Sequence, residues 1–407
     1  MSGPFLQNGR GPTSAAAIFW LKIALFDNQI DAAISAVQSD VEVSNCTFRG
    51  QYLYGILAVN NQSSETIKIN DNFFDFAPQG LIYDVYVTRP IAFGSQNKHL
   101  EINDNVFQHQ GMVNIPNSLP ECRVITVDNA ELNAYVSDQA EIAGNSFFFE
   151  MPDADSLPAG LGRAIEVNTL GQYDNFRIAD NNVVEENALL DWGIWFNDQF
   201  GAGCEISHNT VEGTAPAPNS GEYNAIFGIM SLNSTSGLTM CDNHVDNTQY
   251  GLYFQGDNGQ TDLRSNTMGK HGHGLLIENA DNLGIQGAIG DQVRHGNTWS
   301  TDPNDYDAFA AQCDGNSGLS QFIVENQYLP GTAYFPDEDL INPQFWFLNQ
   351  GTASDWCAPT PGPQSPPRLS DKDLETAGAS GSFNGLSDAA KWEARRLLND
   401  KLRRTPR

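Results

Sequence analysis

Positive charge is what this chain has least of. Its 407 residues hold 21 Lys and Arg against 50 Asp and Glu, a formal net charge of −29. That balance argues against nucleic acid as a partner and against docking on an anionic membrane surface, because both are polyanions. Cysteine is sparse as well, six in all, and no pair has the spacing of a zinc finger. Long apolar runs are missing. The best stretch, Ala15 to Phe26, is broken by Lys22 and is too short to span a bilayer. It also lacks a clear signal-peptide cleavage site. The charge fits a soluble extracellular protein that could meet divalent cations.

What is present is a phrase repeated nine times: an apolar residue, two polar residues, an Asn, any residue, an apolar residue. Ile69-Asn70-Asp71-Asn72-Phe73-Phe74 is its best copy. The Asn position falls at Asn28, Asn72, Asn105, Asn145, Asn181, Asn209, Asn243 and Asn266, and Cys46 replaces it once. Two residues later stand Ile30, Phe48, Phe74, Phe107, Phe147, Val183, Val211, Val245 and Met268. The intervals are 18, 26, 33, 40, 36, 28, 34 and 23 residues. Helical repeat arrays hold their period more tightly. Constant phrases with elastic gaps suit a coil whose corners carry loops of varying length.

A second phrase sits between copies of the first: polar or aromatic, small, apolar, any, apolar. Tyr54-Gly55-Ile56-Leu57-Ala58, Arg163-Ala164-Ile165-Glu166-Val167 and Trp192-Gly193-Ile194-Trp195-Phe196 are examples. Such alternation indicates a short strand with one buried face, so each coil supplies at least two. Stacked in parallel about 4.8 Å apart, successive coils would line the asparagines into a file that passes amide hydrogen bonds along, and the four phenylalanines into an interior stack.

This pattern resembles the right-handed parallel β-helix proteins of the pectin-lyase-like superfamily over about residues 20 to 300. The resemblance implies an all-β, right-handed parallel β-helix solenoid of about nine coils. It does not imply an activity, since that fold carries lyases, hydrolases, adhesins and phage tail proteins. Three parts are expected: the β-helix over 1–300, an acidic irregular segment over 301–357 packing on or capping it, and a Pro-rich linker with a short basic helix over 358–407. From His295 to Pro367 there is no Lys or Arg, whereas Lys391 to Arg407 holds seven basic residues. Ser387 is the expected N-cap of the helix. Because the phrases are already running by Asn28, the chain reads as part of a longer exported polypeptide. Its repeats followed by a tail resemble pieces of large bacterial surface proteins. Cys46, Cys204 and Cys241 are expected as buried small side chains, and Cys313 with Cys357 as a pair able to form a disulfide in an oxidising compartment.

In a stacked solenoid, outward files build sites. The residue before the small one reads Tyr54, Arg89, Arg123, Arg163, Trp192, Asn224, Tyr250 and His273. The next outward residue reads Leu57, Ala92, Thr126, Glu166, Trp195, Phe227, Tyr253 and Leu276. Guanidinium forks grip carboxylates and flat rings stack on sugar faces, so Arg89, Arg123, Arg163, Glu166, Trp192, Trp195, Phe227 and Tyr253 form a candidate carbohydrate-binding set. The arginines face outward only if the strand begins at the small residue. The alternative is that they neutralise neighbouring acids.

Catalytic residues are not identified. A lyase could use Arg123 or Arg163 with Asp128 or Glu166. A hydrolase could use two of Glu166, Asp191 and Asp198. Gly272-His273-Gly274 matches the Gly-His-Gly of polygalacturonases, but the paired aspartates expected upstream are missing. The residue before the ladder Asn is often acidic (Asp27, Asp71, Asp104, Asp180, Asp242). Stacked carboxylates there could bind calcium, the one cofactor considered, although Asp is also an ordinary turn residue. The expectation is therefore an exported or cell-surface module, structural, adhesive or carbohydrate-binding, that meets a polysaccharide or cell-surface glycan; a polysaccharide lyase or glycoside hydrolase on the same flank is the alternative.

Overall fold

A computed structural model describes the strands and short turns between residues 17 and 351. Residues 1–16 and 352–407 lie outside the described residues. So do the connections 20–23, 38–40, 60–65, 77–81, 89–98, 111–121, 130–134, 137–139, 151–161, 187–189, 199–201, 215–224 and 279–291, and a few gaps of one or two residues. The linker and basic helix expected over 358–407 therefore lie outside the description, as does the Cys357 end of the expected disulfide.

The chain winds as a parallel β-helix. All named strands pair in parallel, and each lap contributes to three ladders. The first is a sheet of nine short strands, from Ala17–Phe19 through Val41–Ser44, Thr66–Asn70 and His99–Asn103 to Asp262–Arg264. The second follows the Asn corner: Phe73–Phe76, Val106–Gln110, Ser146–Glu150, Asn182–Glu186, Thr210–Glu212, His244–Asp246, Thr267–Met268 and Thr298–Trp299. The third carries the longest strands: Ile82–Thr88, Cys122–Asn129, Gly162–Thr169, Leu190–Asp198, Ala225–Leu232, Thr248–Gln255, His271–Glu278 and Tyr306–Cys313.

The Asn file forms the edge between the first two ladders. Asn105 is typical. Its backbone N–H and its Nδ2 both donate to Asn145 Oδ1, each at 3.0 Å, and Nδ2 also donates to the Ile69 carbonyl at 2.8 Å. The same arrangement joins Asn72, Asn105, Asn145, Asn181, Asn209, Asn243 and Asn266 in turn. Asn266 then donates to Asn297, a rung absent from the expected series. At the other end the Cys46 N–H donates to Asn72 Oδ1. These side chains are buried, so an amide that satisfies two donors and one acceptor per coil removes a penalty that no apolar residue could.

Asn28 is not aligned with this file. Backbone register pairs Ala24, not Ile30, with Phe48, and Asn28 falls inside the register shift between Phe26 and Ile30. The residue in file with Phe48 therefore lies six positions before the expected Ile30.

The residue before each ladder Asn is a left-handed turn. Asn45, Asp71, Asp104, Gly144, Asp180, His208, Asp242, Ser265 and Gly296 all have φ between 53° and 66°. Asn, Asp and Gly tolerate that backbone best, which accounts for the acidic file without any cation. Among the described residues no group of three or more His, Cys, Asp or Glu is arranged to hold a metal ion.

Inside the coil, Phe48, Phe74, Phe107 and Phe147 stack at 4.5, 4.8 and 5.0 Å with nearly parallel rings. Strand spacing sets that separation. Val183, Val211, Val245, Met268 and Trp299 extend the file. The segment after residue 300 is less irregular than its sequence implies. Tyr306–Cys313 and Ile341–Asn342 continue the long-strand ladder, while Gln292–Val293, Phe322–Glu325 and Phe347–Gly351 make a further parallel sheet. Phe322, Phe335, Trp346 and Phe347 belong to the same core as the coils before them. The described residues all fall in one compact unit, Met1–Cys357.

Two cysteine expectations are corrected. Cys313 is a buried free thiol, and burial pushes its pKa up to about 11, so it is not bonded to Cys357. Cys241, expected as a simple buried side chain, is disulfide-bonded.

Candidate ligand-binding face

The long-strand ladder carries the site, and its register decides which residues stand in file. In the second phrase the small position lies against the next coil. A Cβ on Gly193 would come 2.8 Å from the Gly228 carbonyl, and one on Gly228 2.6 Å from the Gly251 carbonyl. Ile165, Ile194, Ile229, Leu252 and Leu275, one residue on, are fully buried in the main core. Two outward files flank this core row.

The first file reads Arg123, Arg163, Trp192, Phe227, Tyr250, His273 and Phe309, with the backbone of Tyr54 and Tyr83 in register before it. The second reads Leu57, Thr126, Glu166, Trp195, Met230, Tyr253, Leu276 and Gln312, with the backbone of Tyr86 in register between Leu57 and Thr126. Two expected residues change place. Arg89 lies beyond the strand Ile82–Thr88, outside the described residues, and Tyr83 takes its position opposite Arg123. Phe227 moves from the second file to the first, because the small residue of its strand is Gly228 and not Ala225. The arginine row is thus two coils long. The aromatic row is longer than expected.

The arginines face outward, and they are paired. Glu166, only 4% exposed, sits between core residues Ile165 and Val167, so its own side chain points away from the core. Arg123 lies 3.6 Å and Arg163 3.3 Å from the same Glu166 oxygen, and Arg163 Nε lies 3.5 Å from Asp191. The Arg163 guanidinium also rests 3.9 Å from the Trp192 ring centre. Desolvation strengthens such a cation–π contact. Trp192 meets Trp195 edge-on at 4.5 Å.

Beyond this charged pair the face becomes aromatic. Phe227 stacks on Tyr250 at 5.2 Å, and Tyr250 on His273 at 5.3 Å. Tyr253 leans on Phe227 and Tyr250. Met230, Tyr253 and Leu276 form a second apolar cluster, separate from the main core, with Trp195, Phe227 and Tyr250 packed against it. The Tyr253 hydroxyl donates to Glu278. Burial holds the His273 pKa below its usual value. His273 continues the aromatic row, in the file where its sequence position is expected, and Phe309 follows at 6.2 Å. The structure brings Arg123, Arg163, Glu166, Asp191, Trp192 and Trp195 together, and joins Phe227 and Tyr253 through Tyr250. The side chains of Asp128 and Asp198 are not among those described.

Comparison with protein families, curated proteins and solved structures returns no match. Function therefore rests on the geometry of this face. Among the described residues no helix is long and apolar enough to cross a membrane.

Proposed function

We propose that this chain is a module of an exported or cell-surface protein that supplies length and stiffness and binds a glycan along its long-strand ladder, without catalysing its cleavage. The observation that carries the reading is the in-register aromatic row Trp192, Phe227, Tyr250 and His273, laid on the outer side of a rigid sheet. Phe227, Tyr250 and His273 are partly exposed and held in file by strand pairing, so they offer a fixed apolar ridge at little cost in side-chain entropy, against which the apolar faces of sugars could pack. The Cys241 disulfide supports an oxidising compartment.

Cleavage is the weaker reading. A lyase or hydrolase on this flank has Glu166 and Asp191 near the arginines in its favour. Both guanidiniums, however, already face protein carboxylates, and a substrate carboxylate would have to displace one. Binding is tested on a glycan array with wild type, Tyr250→Ala and Phe227→Ala, each checked by its melting curve. Glycan binding that folded variants lose supports the reading, and folded variants binding like wild type would overturn it. Release of unsaturated or reducing ends from a bound polymer would move the assignment to the enzyme.

A further inference from the structure

Hydrogen-bonding groups left over on this face say what kind of sugar it suits. Trp192 Nε1, Trp195 Nε1 and Thr126 Oγ1 are each shielded from solvent and have no hydrogen-bond partner. Trp192 is 8% and Thr126 2% exposed. Thr126 stands in file with Glu166 and Trp195, and Trp192 stands beside Arg163. A buried donor without an acceptor is costly, and three in one patch are uncommon.

The two indoles can only donate. The acceptors nearby, Glu166 and Asp191, are engaged with Arg123 and Arg163. The patch therefore lacks an acceptor and does not lack a donor. A sugar hydroxyl oxygen can accept, but it brings a further donor that would itself need an acceptor in the patch. A carboxylate or sulfate would accept, but the two cations are already balanced by two carboxylates, and the chain carries −29 overall. The strong neutral acceptor found on sugars is an amide carbonyl, with two lone pairs for two N–H groups.

We propose that Trp192 and Trp195 form a subsite for the acetamido carbonyl of a neutral N-acetylhexosamine residue, with Thr126 bonding a neighbouring sugar. This rests on the glycan-binding reading above. The subsite requires the half-buried Trp195 ring to turn outward, which would make the shielded atoms reachable.

Calorimetry with four β-linked tetramers, of N-acetylglucosamine, N-acetylgalactosamine, glucose and glucuronate, tests it. One N-acetylated tetramer is expected to bind about tenfold more tightly than the glucose tetramer, the worth of one to two net hydrogen bonds. Trp195→Phe keeps a ring but removes the N–H, and should erase that preference, so that the N-acetylated and glucose tetramers bind the variant alike. In wild type, the N-acetylated tetramer should also shift two of the seven indole N–H resonances, assigned by their loss in Trp192→Phe and Trp195→Phe. That readout stands even if one variant fails to fold. Equal binding of glucose and N-acetylated tetramers, a preference for glucuronate, or unmoved indole signals would overturn the subsite and leave the glycan reading standing. No binding by any tetramer, together with a blank glycan array, would sink both.

Discussion

Lowering the pH from 8 to 5 should weaken the fold through a single side chain, His271. Its ring is fully buried in the core of the long-strand ladder. Nε2 lies 3.1 Å from the Val245 carbonyl, to which it can only donate, and Nδ1 lies 2.9 Å from Thr248 Oγ1. Burial depresses its pKa from 6.5 to about 4, against smaller opposing effects from Asp246 and two backbone carbonyls. Between those two values the unfolded chain binds the proton and the folded chain does not. Stability is therefore complete above pH 6.5 and falls as the pH drops toward 4. A shift of that size corresponds to about 3 kcal/mol in full, and to about 2 kcal/mol at pH 5.

Asp104 works in the other direction. Burial, with Asp71, Glu141, Asp180 and Glu101 close by, raises its pKa from 3.8 to about 6, so its protonation stabilises the fold on acidification. Raw stability against pH mixes the two. The assay is therefore a difference: urea unfolding of wild type and His271→Gln at pH 8 and at pH 5. The stability advantage of wild type over the variant should be about 2 kcal/mol smaller at pH 5. An advantage unchanged between the two pH values would refute the argument, because a buried neutral imidazole could not then be what titrates.

Three further outcomes are expected. Asn181→Ala orphans the Asn145 backbone N–H and Nδ2 and the Ile142 carbonyl. Equilibrium unfolding should show a loss of about 3 kcal/mol or more, and a loss under about 1 kcal/mol would mean the file is not a stabilising element. Gly251→Ala places a Cβ about 2.5 Å from the Gly274 carbonyl and 2.9 Å from His271 Nε2. The coils must spread, and destabilisation of about 1–3 kcal/mol should appear as a lower melting temperature. Cys313, buried and with its pKa pushed up to about 11, should resist alkylation in the native protein at pH 8 and react on denaturation, as read by mass spectrometry.

Much of the fold was legible because each coil repeats one bonding problem. A buried corner needs an amide that donates upward and accepts downward, and a left-handed residue just before it. Asn-x-apolar, most often preceded by Asp or Gly, answers both needs, so eight laps were readable from spelling, with Cys46 standing in for Asn in one and His208 and Ser265 taking the turn in two others. Gly296-Asn297-Thr298-Trp299 is spelled like Gly144-Asn145-Ser146-Phe147, and its rung could have been found the same way. The coils beyond residue 300 were not readable, since Phe322 and Phe347 stack in register without the phrase around them.

The outward face was legible only in part. Pattern alone could not choose between Tyr83 and Arg89, or between Gly228 and Ala225 as the small residue, because the connections between phrases vary in length and a phrase with period two fits at several offsets. The sequence by itself determined that the chain coils, that asparagines line one edge and that phenylalanines fill one interior file. Each follows from side chains repeated at fixed spacing within a lap. Which outward residues become neighbours, and that Arg123 and Arg163 converge on Glu166 beside Trp192, was decided only by the tertiary structure. Register between coils is set by backbone hydrogen bonds between strands whose partners here lie 40 (Arg123 and Arg163) and 29 (Arg163 and Trp192) positions apart, and no local pattern encodes that offset.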